Sequence, residues 1–142
     1  MTPEENKAIV HRFFDAVWNK KDDSLVDTYL AVDFVEHFPG MEGGRDGFRR
    51  TAEVFRTAFP DIVLTIEDEI ATTDRVVHRW NWQCTHKGNF LGIPPTGKKL
   101  NFSGMTIVRM KEGQIAERWA GLDQLGMYQQ MGLLPAVGAR AA

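Results

Sequence analysis

With 142 residues, 43% of them hydrophobic and 25% charged, the chain suits one domain spanning residues 1–142, long enough for a core and an interior pocket. A formal net charge of −2 excludes the basic excess that binding to nucleic acid or an anionic membrane surface requires. The single cysteine, Cys84, excludes an intrachain disulfide, the N-terminus lacks the charged-then-apolar order of a signal segment, and no apolar run approaches a membrane span, so a cytoplasmic protein is expected.

Thr2, Pro3 and Glu5 read as a helix start, with Thr2 as cap, Pro3 in the first turn and Glu5 as capping-box partner. Ile9, Val10, Phe13, Phe14 and Val17 then recur at helical spacing, which gives the helix one apolar side. Asp22, Asp23 and Ser24 offer a second cap before a short helix carrying Leu25, Val26, Tyr29 and Leu30, and residues 34–38 are extended. After Gly43 and Gly44, the steps between Phe48, Ala52, Phe55 and Phe59 predict a third amphipathic helix, stopped by Pro60.

Strands follow the three helices. Ile62, Leu64, Ile66 and Ile70 alternate with Val63, Thr65, Glu67 and Glu69, and a turn at Thr73 and Asp74 leads into a second strand, a hairpin pattern. In that second strand Val76, His78, Trp80, Trp82, Cys84 and His86 share one face. A loop from 88 to 97 precedes a third strand over 100–110, and Lys111, Glu112 and Gly113 turn into a fourth over 114–120. The order implies an α+β cone: three N-terminal helices on one face of a curved, mainly antiparallel sheet, with a pocket between. Both parities of the strands carry apolar residues, among them Val77, Met105 and Ile107, so the uncovered face is expected to pair in a homodimer. Residues 136–142 form a short low-complexity tail that is expected to fray.

Asp123 follows the last strand, among Leu122, Leu125 and Met127. Burial there would raise its proton affinity and suit it to acid–base work, whereas an exposed Asp123 would cap the helix that follows. His86, on the tryptophan side of the second strand, is a candidate to orient substrate or donate to an oxyanion. His78 shares that face and reads as structural. Trp82 and Trp119 are either core or the walls of a pocket for a flat substrate. Arg109 either faces solvent or anchors an acidic substrate group. No tight ligand spacing among the histidines predicts a metal site, Cys84 shows no sign of activation, and phosphate-binding glycine motifs are lacking, so no cofactor is implied.

The run His86-Lys87-Gly88-Asn89-Phe90-Leu91-Gly92-Ile93-Pro94-Pro95-Thr96-Gly97-Lys98, with Gly113-Gln114-Ile115-Ala116-Glu117-Arg118-Trp119 followed by Asp123, resembles the SnoaL-like polyketide cyclases of the NTF2-like superfamily. Phe59-Pro60-Asp61 and Gln130-Met131-Gly132 extend the resemblance over nearly the whole chain. It implies cofactor-free ring closure of aldol type on a hydrophobic, polyketide-like carbonyl compound, with Asp123 at the position of the family's catalytic aspartate. Val35-Glu36-His37-Phe38-Pro39-Gly40 also resembles the segment that carries the general base of ketosteroid isomerases. The histidine here departs from their aspartate, and leaves His37 either to shuttle a proton or polarise a carbonyl, or to be a core histidine bonded to backbone. Epoxide hydrolysis on the same fold, and a non-catalytic small-molecule carrier, are the alternatives.

Overall fold

Thr2 caps the first helix as its sequence predicts: its side chain accepts the Glu5 amide, and the Glu5 carboxylate accepts the Thr2 amide at 2.9 Å. A computed structural model describes residues 1–135, and the 136–142 tail, with the fraying expected of it, lies outside the described residues. Helix α1 (Pro3–Phe14) passes into a π-helical turn (Asp15–Asn19), then α2 (Val26–Tyr29), β1 (Leu30–Glu36), α3 (Arg45–Ala58), β2 (Val63–Ala71), β3 (Arg75–Thr85), β4 (Lys99–Lys111), β5 (Gln114–Leu122) and α4 (Gln124–Gln130). The π turn, with its wider ring of hydrogen bonds, was not legible in the apolar spacing; it ends at Asn19, whose amide exchanges two hydrogen bonds with the backbone of Leu64, at 3.1 and 2.7 Å.

The five strands form one sheet in the order β1-β5-β4-β3-β2. Its meander β2–β5 is antiparallel, and β1 joins parallel to β5. Glu112 and Gly113, both at positive φ (51° and 77°), make the tight β4–β5 turn, whose twist matches that of the strands. In β3 the expected alternation is complete: Val76, His78, Trp80, Trp82 and Cys84 are buried under the helices. In β2 it is not. The register shifts between Ile66 and Asp68, a bulge that reverses side-chain parity, so Ile70, expected on the face of Leu64 and Ile66, is 64% exposed.

Helices α1 and α3 lay Val10, Phe13, Phe14, Phe48, Ala52 and Phe55 on the sheet, where they meet Trp80, Trp82, Phe102 and Val108. Trp18, Phe55 and Trp82 interlock edge to face, with ring centroids 4.8 to 6.3 Å apart. Arg56 fixes α3 to the segment before α2 through a two-pronged pair with Asp23, 2.8 Å at each nitrogen.

Candidate functional site

Polar side chains on the helix-covered face of the sheet converge in a setting that is otherwise aromatic. Arg118 lies on the inner side of β5 with Ala120 and Leu122, and its Nη1 donates to Glu36 Oε1 on the neighbouring β1. The second Glu36 oxygen accepts the His37 amide at 3.1 Å. Both members of this pair are buried. The Arg118 guanidinium also sits 5.4 Å from the Phe14 ring centroid and 5.9 Å from that of Phe48, within cation–π range. Among the described residues its Nε nevertheless has no hydrogen-bond partner.

His78 comes to the same place from β3. Its Nδ1 is buried without a hydrogen-bond partner among the described residues, and the Phe14 ring meets the imidazole edge to face at 5.2 Å. Burial first, then the positive fields of Arg118 and His11, push the His78 imidazole down to about 3. It is therefore neutral near pH 7. Beside it, Trp80 Nε1 donates to Thr106 Oγ1 at 2.9 Å. Two voids of about 20 Å³ each open here, one walled by Phe14, Leu64, His78 and Thr106, the other by Phe38, Thr51, Phe55, Ala120 and Leu122. Trp18, Trp80, Trp82 and Arg118 wall both. Each has room for about one water.

The residues singled out from sequence divide around this interior. Trp82 lines it. His86 is wholly buried but belongs to the neighbouring loop: Thr96 supplies both a hydroxyl at 3.0 Å and an amide at 3.3 Å to its Nδ1. Burial lowers its proton affinity, and its Nε2 has no hydrogen-bond partner among the described residues. Of the two alternatives for Asp123, the condition of burial is not met: it is exposed, and its Oδ1 accepts the Gly126 amide at 2.9 Å as the N-cap of α4. The strand runs on to Leu122, which carries the aspartate beyond the sheet.

Trp119 and His37 are corrected likewise. Beyond the register shift of β5 between Ile115 and Glu117, odd positions face away from the helices, so Trp119 is 37% exposed and stacks on the His37 imidazole at 5.0 Å and 10° on the outer surface. His37 is thus not a core histidine. Its Nε2 meets Glu117 Oε2 at 2.6 Å, and Arg109 Nε donates to the other Glu117 oxygen at 2.9 Å, which settles Arg109 as a partner of Glu117. The His37 and Arg109 contacts, in that order, hold the Glu117 carboxyl below the usual carboxylate range. Sequence reasoning passed over Glu36 and Arg118 and took His78 as structural. Strand parity carried the signal: Glu36 shares a face with Phe34, and Arg118 with Ala120 and Leu122, so opposite charges fall on apolar faces of adjacent strands.

Among the described residues no group of three or more His, Cys, Asp or Glu side chains is arranged to hold a metal ion. A wider cleft of about 410 Å³ lies between Asp61, Gln83, Thr85, Lys99, Asn101 and Gln130. Its nucleophile, Cys84, is inert, because burial and the charge of Asp61 push the thiol up to about 12.

Helices covering one face of a mixed, mainly antiparallel five-stranded sheet, with a polar cluster enclosed between them, define an NTF2-like cone. The family model of the SnoaL-like polyketide cyclases matches residues 8–131, and the chain belongs to that family. It is similar to the aklanonic acid methyl ester cyclase DnrD of Streptomyces peucetius, 26% identical over 129 residues that cover 87% of this chain and 88% of that one. Among solved structures, TsrD of Streptomyces laurentii superposes with a TM-score of 0.86 at 25% identity, covering 94% of this chain and 99% of that one. AclR of Streptomyces galilaeus gives 0.85 at 27% identity, with 95% and 85% covered.

Proposed function

We propose that the protein is a cofactor-free acid–base enzyme that closes a ring within a hydrophobic, polyketide-like carbonyl compound by an aldol-type step, and that the step takes place in the interior beside His78 and Arg118. The observation that carries this reading is one juxtaposition: a neutral imidazole and a buried guanidinium line the same void, and among the described residues neither His78 Nδ1 nor Arg118 Nε has a hydrogen-bond partner. An aldol closure needs a group to take the α-proton and a cation or donor to hold the enolate oxygen. His78 accepts the proton, Arg118 faces the oxygen, the carbanion attacks a second carbonyl of the same molecule, and the new alkoxide recovers the proton from the imidazolium. An imidazole lowered to about 3 is a weak base in the empty site. An enolate against Arg118 offsets the cationic field on His78 and itself favours the imidazolium, so proton affinity rises as the charge forms. Glu36 holds Arg118 in place, and the aromatic walls keep bulk water from the reacting groups. Membership of the family and similarity to DnrD support the substrate class.

The test is exchange of α-protons of 1,3-diketones in heavy water, followed by NMR. Exchange above the buffer rate is expected of the wild type, with a loss of about a hundredfold or more in His78→Gln, the range for one general base. Exchange that survives in His78→Gln overturns the role of His78, and binding without exchange makes the protein a carrier.

A further inference from the structure

A second cleft, of about 280 Å³, opens between the turn after β1 and helix α3. Met41, Val54 and Leu91 give it apolar walls, Glu42 and Arg50 are its charged groups, and Thr51 lies at its back. Thr51 also walls the inner void that contains Phe38, Phe55 and Trp82. One buried side chain thus stands between the cleft and the aromatic interior, and its hydroxyl is already engaged, donating to the Gly47 carbonyl at 3.0 Å.

Three features suit this cleft to a ligand. The inner voids hold about one water each, so the bulk of any substrate extends outside them, and this cleft is far larger than either. Leu91 is 60% exposed at the tip of a locked turn, in which Gly92 donates to Asn89 Oδ1 at 2.9 Å and Phe90 and Ile93 exchange backbone hydrogen bonds. It forms an exposed apolar lip of the cleft. Finally, Arg45, Arg49 and Arg56 of α3 all pair with carboxylates, whereas Arg50 has no such partner among the described residues. The Glu42 carboxylate accepts the Gly40 amide at 3.1 Å.

We propose that this cleft is the outer subsite of the interior site: an elongated carbonyl compound enters between Met41 and Leu91, passes its reacting end beyond Thr51, rests its apolar body on Val54 and sets a terminal carboxylate at Arg50. The inference rests on the interior being the reaction site. It assigns to Met41, Arg50, Val54 and Leu91 the recognition of the part of the substrate that does not react.

Two ligands test it, acetylacetone and a para-carboxylated 1-phenylbutane-1,3-dione, titrated calorimetrically while the indole N–H resonance of Trp80 reports occupancy of the interior. Val54→Phe fills the cleft and Arg50→Gln removes its cation, and thermal melts check that both fold. Each variant is expected to weaken the long ligand at least fivefold and to leave acetylacetone unchanged, with the Trp80 resonance shifted by both ligands in the wild type. Unchanged affinity of both variants for the long ligand, with the Trp80 shift intact, overturns the outer subsite alone. No Trp80 shift with either ligand in the wild type overturns the interior site and its extension together.

Discussion

Trp80 lies across Gly104, its register partner on β4, so closely that a Cβ on Gly104 would stand 2.8 Å from the indole Cη2 and would also collide with the Gly121 carbonyl. A glycine in the middle of a long strand normally weakens it, and here it makes room for the ring that roofs both inner voids. Gly104→Ala is therefore expected to destabilise the protein by about 1–3 kcal/mol, as overpacking does, with the loss read from urea unfolding. An alanine variant as stable as the wild type would show that Trp80 has another place to go.

The Glu36–Arg118 pair is expected to be costly to break and cheap to replace. Glu36→Gln or Arg118→Met alone leaves one buried charge without its counter-ion, and each should cost about 3–5 kcal/mol. The double variant Glu36→Leu, Arg118→Met removes both desolvation penalties and should recover most of that loss while abolishing exchange activity. A double-mutant cycle by chemical denaturation measures this. Additive losses would mean that the two side chains do not depend on each other.

His78 should make the fold acid-sensitive. Its proton affinity is lowered from 6.5 to about 3 in the folded state, so between those values the unfolded chain binds a proton that the native protein does not. Stability conferred by the neutral imidazole is present above pH 6.5 and is lost as the pH falls toward 3, by an amount on the order of a few kcal/mol. Buried His86, lowered by desolvation, acts in the same direction. Unfolding free energies at pH 4.5 and 7.5 should therefore differ more in the wild type than in His78→Gln. Equal differences would place the titration elsewhere.

Asp123 separates the role read from family resemblance from the role seen in the fold. Asp123→Asn keeps most of the cap and Asp123→Ala loses about 1 kcal/mol of it. With His78 as proton carrier, Asp123→Asn should keep turnover within a few-fold of wild type. A loss of about a hundredfold in a variant that melts normally would instead return the proton step to Asp123.

The fold was legible because helix caps and strand alternation are local. Thr2 with Glu5, the steps of α3 and the two faces of β3 all survive into the structure. What failed was non-local. The β2 bulge that exposes Ile70 depends on pairing with β3, and the parallel β1–β5 contact brings Glu36 to Arg118 across 82 residues. The apolar neighbours Leu122 and Leu125 do not bury Asp123, because an apolar neighbour in sequence does not bury a residue at the end of a strand: Leu125 is itself 48% exposed.

The outer face of the sheet supports one more expectation, the homodimer. Met105 is 60% exposed, Ile107 41% and Trp119 37%, on adjacent strands in register, with Ile107 directly opposite Trp119. Among the described residues no helix covers them, and an apolar surface on strands with a fixed twist is suited to an isologous pairing with a second copy. Beside it the Arg109–Glu117–His37 chain supplies a polar rim, as interfaces that bury an apolar centre commonly have. Sedimentation at micromolar concentration should show a dimer. Ile107→Glu places a charge at the centre of the patch without touching the inner face, so it should give a monomer with an intact Trp80–Thr106 hydrogen bond, visible in the indole N–H resonance. A wild type that sediments only as a monomer would leave this face without the second copy expected of it.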